Sequence, residues 1–142
     1  MVEYIPFHKN CKNMTVVGEL EITPDGIGCK VNEFLQVMYF ACKSADEMKS
    51  IQDHGFPLVD GNCGKGVYMY RNYSDAIADS SNFIIFTRVT KGNFKEIVPS
   101  DLPNLNITNI DRVVLTDGDK ITNCIYNTAN IDIIAFLEFV DK

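Results

Sequence analysis

This chain of 142 residues has no tryptophan, only two histidines, His8 and His54, and no apolar run long enough to cross a membrane. Its five cysteines are scattered, and no two of them form a Cys-x-x-Cys pair. Because zinc sites need closely spaced cysteines and histidines, the sequence predicts no metal site and reduced, inert thiols. With neither a signal-peptide pattern nor a membrane-spanning segment, we expect no membrane contact and a nuclear or cytoplasmic location.

Basic residues are also few, since 13 lysines and arginines stand against 19 acidic residues and the formal net charge is −6. Nucleic-acid binding needs a basic stripe, and no run of lysine and arginine provides one, so charge gives no support to an RNA partner. The hydrophobic share of 46% and the charged share of 23% are those of a folded protein. Without a repeat or a linker, residues 1–142 are expected to form a single domain.

Short runs rich in β-branched and aromatic residues predict a chain that is mostly β. The predicted strands are residues 14–22, 26–31, 35–42, 67–70, 82–90, 94–98, 112–115, 124–126 and 133–140. The tripeptide Pro24-Asp25-Gly26 predicts a turn that makes residues 1–34 an N-terminal β-hairpin extension, and Lys91-Gly92-Asn93 predicts a second hairpin. Asp117-Gly118-Asp119 lacks the further ligand spacing of a calcium loop and is expected to be a turn.

Two helices interrupt these strands. Ser44 and Glu47 have the spacing of a capping box, and His54-Gly55 supplies a stop, which predicts a helix of about three turns. A second short helix is expected to be capped by Ser74. The sequence thus predicts an α+β fold with mostly antiparallel, sandwich-like β-sheets and one or two short helices.

Three motifs follow the order found in the catalytic domain of poly(ADP-ribose) polymerases (PARPs). They are VMYFACKS at residues 37–44, GKGVY at 64–68 and TNCIYNTANI at 122–131. Over residues 35–142 the chain therefore resembles the PARP-like ADP-ribosyltransferase superfamily. The stretch KGVYMYRNYSDAIADSSNFIIFTRVTKGNFKEI, residues 65–97, is most similar to the PARP-like domains of the TASOR branch, which are scaffolds of the HUSH gene-silencing complex.

The resemblance implies that the catalytic groups have been replaced. In active PARPs a histidine anchors one ribose of NAD, a tyrosine stacks on nicotinamide, and a glutamate holds the reacting ribose. These positions correspond to Phe40, Tyr68 and Thr122, with Asn123 next to the last if the register shifts by one. Only the tyrosine is kept, the Phe40 ring is expected to fill the pocket, and neither Thr122 nor Asn123 can supply a carboxylate.

The remaining cofactor-binding positions would then be vestigial. Gly64, Gly66 and Tyr68 match the family, but the second stacking tyrosine falls near Asp79, and no bound cofactor is expected. Tyr68 alternatively serves only as a half-buried strand residue, and the two glycines only shape the turn before it.

The resemblance implies a catalytically inactive PARP-like domain that acts as a protein-interaction scaffold in a nuclear gene-silencing complex. The alternative is a divergent, active mono-ADP-ribosyltransferase that uses NAD, because some such enzymes work without the glutamate. The candidate interface is the proline- and asparagine-rich loop at residues 99–109, where Leu102, Leu105 and Ile107 either face a protein partner or pack under the loop.

Overall fold

The structure, a computed structural model, describes residues 3–6, 11–18, 21–23, 26–31 and 34–139. In this part of the chain it is a small α+β domain with an eight-stranded, mostly antiparallel sheet and a separate three-stranded sheet. The strands are β1 (Glu3–Pro6), β2 (Cys11–Val16), β3 (Glu21–Thr23), β4 (Gly26–Val31), β5 (Leu35–Cys42), β6 (Val67–Tyr70), β7 (Phe83–Thr90), β8 (Phe94–Ile97), β9 (Arg112–Asp117), β10 (Lys120–Ile125) and β11 (Ile131–Phe139). The helices are α1 (Ala45–His54), α2 (Tyr73–Asp79) and the two short 3-10 helices Pro99–Asn104 and Thr128–Asn130.

The large sheet has the order β2-β11-β7-β5-β6-β10-β9-β8. Its two halves meet at the β5–β6 boundary, where one residue pair is in register, Tyr39 opposite Tyr70. By contrast, β5 and β7 are paired along their whole length. A junction held by one pair lets the sheet bend between its halves, since few ladder hydrogen bonds resist the change of direction.

One core cluster extends across the junction of the two halves. Val89 of β7 and Ile131 of β11 belong to the same apolar cluster as Val67, Met69 and Ile125 of the other half. On the outer face of β5 and β7, α2 covers a second cluster that contains Ala76, Ile84 and Phe86. Alternate side chains of β5 and β7 therefore lie on the face covered by α2, and the intervening ones lie on the opposite face, where α1 also packs.

Helix α1 confirms the predicted capping. Ser44 is the N-cap, and its Oγ accepts a hydrogen bond from the Glu47 amide at 3.0 Å. Glu47 reaches back to the amide of Lys43 at 2.9 Å, one residue earlier than a capping box requires. Gly55 ends the helix at φ 83, where only glycine fits without strain. The Ser44–Glu47 pair thus fixes where β5 ends and the helix begins.

The predicted capping of α2 is wrong. Its N-cap is Asn72, which makes no side-chain capping bond, and Ser74 lies inside the helix. Ala76 is buried in the helix-covered core cluster, so packing onto β5 holds this short helix in place.

The second predicted hairpin is also wrong, although the strand after it exists. β8 pairs in parallel with β9 and not with β7, whose two edges are already occupied by β11 and β5. Asn93 determines this path, because its amide donates to the Asp111 carboxylate at 2.8 Å and its carbonyl accepts from the Asp111 amide at 2.8 Å. These bonds lead the chain towards β9.

The N-terminal region differs from the predicted extension in two respects, one of which is that β1 pairs with β4 and makes the hairpin part of a three-stranded sheet. The hairpin is present, since β3 and β4 pair with Thr23 opposite Gly26, while Pro24 and Asp25 lie outside the described residues. The strand predicted for residues 14–22 is divided into β2 and β3, and β2 pairs with β11 as part of the large sheet. At the other end, Asp117-Gly118-Asp119 forms the predicted turn, with Gly118 at φ 62 between β9 and β10.

The N-cap of α1 gives a stability prediction. We expect Ser44→Ala to lower the free energy of unfolding by about 0.5–2 kcal/mol, because the Glu47 amide loses its acceptor. Ser50→Ala is the matched control, since Ser50 is exposed within the same helix, and it should change stability by less than about 0.5 kcal/mol. Equal denaturation midpoints for the two variants would contradict the assigned cap.

Candidate functional site

A cleft of about 400 Å³ lies beside the junction of the two half-sheets. Its walls come from β5, β6, β9, β10, α1, the end of α2 and the loop before β6. The lining residues are Phe40, Ala41, Lys43, Glu47, Pro57, Val59, Asn62, Val67, Tyr68, Tyr70, Asp79, Leu115, Lys120 and Thr122. Phe40, Tyr68 and Thr122, which the resemblance matched to the three catalytic positions, therefore line one cavity, together with Asp79, near which the second stacking tyrosine falls.

Strand register explains why these residues meet. Thr122 of β10 lies opposite Tyr70, and Cys124 lies opposite Tyr68, so the four side chains point to one face of the sheet. On the other side, Ala41 of β5 would face Tyr68 if the ladder continued past Tyr39, but no such pair is in register. The strands separate there, and the space between them is the cleft.

Phe40 lines the cleft without filling it, which corrects the expectation from the sequence. Its ring packs edge-on against Phe56, with centroids 5.1 Å apart and an interplanar angle of 60°. Both rings also contact the core clusters on the interior face. Because Phe56 holds the ring against the core, the cavity stays open in front of it.

Tyr68 is fixed by the loop that precedes its strand. Its hydroxyl donates to the carbonyl of Gly64 and accepts from the amide of Cys63 at 3.0 Å. A Cβ added to Gly61 would lie 2.3 Å from the ring, so the loop backbone rests directly on the aromatic ring. Burial, together with the neighbouring Cys124, raises the pKa of Tyr68, so the phenol stays neutral. These contacts make Tyr68 the anchor of the loop at residues 59–66.

The two glycines of the GKG motif also have structural roles. Gly64 adopts φ 98, which disfavours any other residue. A Cβ on Gly66 would lie 2.6 Å from Sγ of Cys124 and 2.9 Å from the Ile125 carbonyl oxygen, so β6 could not approach β10. Neither requirement involves a ligand.

A polar network forms the rim of the cleft. Lys43 Nζ lies 2.7 Å from Oδ1 of Asp79, and the Tyr70 hydroxyl donates to Oδ2 at 2.7 Å. Burial acts to raise the pKa of Asp79, but the hydrogen bonds from Lys43 and Tyr70 outweigh it and keep that pKa below its usual value. The Lys120 ammonium lies 5.0 Å from the Tyr70 ring centroid. Asp79 is therefore held as a charged, hydrogen-bonded group.

Sequence reasoning missed Glu47 as a cleft residue. Its carboxylate lies at the wall but is engaged with the Lys43 amide, so the capping pattern that identified it points to a structural role. Of the two residues matched to the glutamate, Thr122 places only a hydroxyl group at the cleft wall. Asn123 points to the interior and is fully buried. The two carboxylates of the cleft, Glu47 and Asp79, thus come from helix ends and not from the β10 position matched to the glutamate.

The thiols near the cleft are buried. Cys63 and Cys124 belong to the core cluster under the loop, and burial raises the pKa of both, that of Cys124 to about 11. Thiols of this kind are mostly protonated and unreactive at neutral pH, as the sequence predicted. The side chains of Cys11 and Cys29 lie outside the described part.

The residues of the candidate interface differ in how far they are buried. Residues 99–104 form a 3-10 helix in place of the predicted loop. Leu102 and Leu105 are partly buried against the cluster of Cys63 and Val113. Ile107 is 38% exposed, and its Cδ1 would lie 3.8 Å from a Cβ at Gly64. Of the three residues, Ile107 presents the most surface to a partner.

Within the described ranges, no cluster of metal-ligating side chains occurs and no helix is long and apolar enough to cross a membrane. No protein-family model matches this chain, and no curated protein matches it. The features that indicate a function are therefore the cleft and the motifs that line it.

The anchoring of the loop by Tyr68 can be tested by amide exchange. We expect Tyr68→Phe to speed exchange of the Cys63 amide by about tenfold or more, because that amide loses its acceptor and the loop opens more readily. Tyr70→Phe is the control, since its hydroxyl bonds only the Asp79 carboxylate at the rim. Unchanged exchange at Cys63 in Tyr68→Phe would show that other contacts hold the loop.

Proposed function

We propose that this chain is a catalytically inactive PARP-like domain that serves as a protein-interaction scaffold, in a nuclear gene-silencing assembly of the HUSH type. The observation that supports it is the convergence of Phe40, Tyr68 and Thr122 on one cleft. Three motifs far apart in the sequence thus occupy one cavity, as the histidine, tyrosine and glutamate of the PARP family do.

The chemistry of these side chains argues against transfer. ADP-ribosyl transfer builds positive charge on the ribose as nicotinamide leaves, and a site stabilises that charge with a correctly placed anion. Thr122 offers only a hydroxyl, and Phe40 offers no hydrogen bond to a ribose. Both carboxylates at the wall are already bonded to Lys43, through its amide or its ammonium.

The surviving family residues have structural explanations. Gly64 and Gly66 are required by a positive φ and by the approach of β6 to β10, and Tyr68 anchors the loop. These requirements preserve the GKGVY motif even when no cofactor binds. In a scaffold, protein partners would then bind to the surface outside the cleft.

The second candidate is a divergent mono-ADP-ribosyltransferase that uses NAD. The open cleft favours it, because about 400 Å³ falls within the range of small-molecule pockets, roughly 300–1,000 Å³. Asp79 and Glu47 would then have to exchange their present partners for the substrate.

Titration with NAD distinguishes the two candidates. We expect no saturable heat at millimolar NAD, because the anchoring and charge-stabilising groups are missing. A dissociation constant below about 1 mM, equivalent to roughly −4 kcal/mol, would refute the inactive-domain proposal if the heat comes from the cleft. The Thr122→Arg variant shows whether that heat comes from the cleft, because an arginine side chain would occupy the cavity. A binding heat that remains in this variant comes from another site.

The scaffold proposal is tested at the exposed end of the candidate interface. We expect Ile107→Asp to leave the melting temperature nearly unchanged and to abolish recovery of protein partners from nuclear extract. Leu105→Asp is the contrasting variant, because a charge on a partly buried residue should lower the melting temperature. Full recovery of every partner by folded Ile107→Asp would place recognition on another surface.

A further inference from the structure

The large sheet ends at β2, which in the part of the chain that the structure describes pairs with β11 and with no other strand. The Val17 amide donates to the Ile134 carbonyl of β11 at 2.9 Å. Because the backbone groups of an antiparallel strand alternate between its two sides, those of Thr15 also face β11. The N–H and C=O groups of Met14 and Val16 therefore face outward, where a further strand could bind them.

The side chains along this edge are apolar or uncharged, and they are exposed. Met14, Val16 and Val17 are 37%, 43% and 55% exposed. Met14 and Val16 lie opposite Leu137 and Ala135 of β11, which are buried in the helix-covered core cluster. Residues that lie opposite each other in a ladder point to the same face of the sheet. A strand added to β2 would therefore bury apolar side chains next to the existing core.

The other edge of the same sheet, β8, is protected against such an addition. It has only four residues, Lys95 and Glu96 are exposed on it, and Pro99 follows shortly after its end. Short length, charge and proline are means by which proteins prevent edge-to-edge pairing. Residues 13–18 carry neither a charge nor a proline. The β2 edge thus lacks the features that keep a strand from pairing.

The ladder between β2 and β11 shows which part of β2 is regular. Cys11 and Asn13 lie opposite consecutive residues of β11, so Lys12 is an extra, bulged residue. The regular part of the strand is therefore residues 13–17, with Thr15 at its centre. A symmetric partner strand would be centred at Thr15.

We propose that β2 binds the β2 strand of a second copy of this chain, as an antiparallel pair about a two-fold axis beside Thr15. In this register Met14 lies opposite Val16 of the second copy, and their outward N–H and C=O groups bond to each other. Thr15 lies opposite its own equivalent, and threonine pairs across strands are stabilising. The pair continues the antiparallel order of β2, β11, β7 and β5.

A second copy is favoured over an unrelated strand because the edge complements itself. Outward donors meet outward acceptors, apolar side chains meet apolar ones, and no charge of residues 13–17 meets another, although each chain has a net charge of −6. A two-fold contact of this kind closes on itself and gives a dimer. The pairing does not depend on the proposed function, since Leu102 and Leu105 pack with Val113 of β9, towards the other edge of the sheet.

Sedimentation equilibrium over a range of protein concentrations tests whether the chain dimerises. A single strand pair buries less area than a standard interface of roughly 1,600 Å². We therefore expect a weak, reversible dimer with a dissociation constant between about 1 μM and 1 mM. The mass of a monomer at every concentration up to about 1 mM would overturn the proposal.

Val16→Lys should raise the dissociation constant by about tenfold or more, because a charge on an edge strand opposes pairing. Its backbone groups face away from β11, so the monomer should still fold. Val98→Lys is the matched control, since it makes the same exchange at a valine that is 47% exposed beyond the end of β8, and it should dimerise as the wild type does. Equal dissociation constants for Val16→Lys and the wild type would contradict the assigned edge.

Amide hydrogen exchange in the wild-type protein locates the contact without a variant. As the protein concentration rises through the dissociation constant, exchange of the Met14 and Val16 amides should slow. The amides of Thr15 and Val17, which face β11, should change less. A dimer that leaves exchange at Met14 and Val16 unchanged would refute the β2 pair. Protection of both amides in the dilute monomer would also refute it, because the edge would then be covered within one chain.

Discussion

The structure depends on the junction between β5 and β6, where Tyr39 and Tyr70 form the registered pair. Because the ladder is short, the sheet can bend there, and the interior faces of its halves come together around Met38, Met69 and Val89. The same separation of strands opens the cleft between Ala41 and Tyr68. Core and candidate site are therefore two results of one constraint, since a continuous ladder would extend the sheet and close the cavity.

Much of the secondary structure could be predicted because local signals were strong. β5 and β6 have the predicted bounds, and α1 follows from the Ser44–Glu47 spacing. The partner of β8 could not be predicted, because it depends on which edges are free once β5 and β11 have flanked β7. Asn93 and Asp111, which determine that path, are 18 residues apart and carry no local pattern.

For the candidate site, too, some features could be predicted from the sequence and others could not. The motifs identified Phe40, Tyr68 and Thr122, and strand register explains why they share a cavity. The open volume could not be predicted, because it requires Phe56 to hold the Phe40 ring aside.

The residues of the GKGVY motif have structural roles that do not depend on a cofactor. Tyr68 anchors the loop before β6, and Gly64 adopts a positive φ. Gly66 has no side chain and so lets β6 approach β10 closely. Such residues persist in a domain that binds no cofactor as long as the cleft-side loop must fold. Under the proposed function, the GKGVY motif is therefore a structural element, and its presence is weak evidence for NAD binding.

Nuclear Overhauser effects in the wild-type protein test whether the sheet bends at the β5–β6 junction. A bent sheet should give a contact between Tyr39 and Tyr70, none between the backbones of Ala41 and Tyr68, and methyl contacts that link Val89 or Ile131 to Val67 or Ile125. A regular ladder that continues from Tyr39–Tyr70 to Ala41–Tyr68, without contacts across the interior, would contradict both the bent sheet and the cleft.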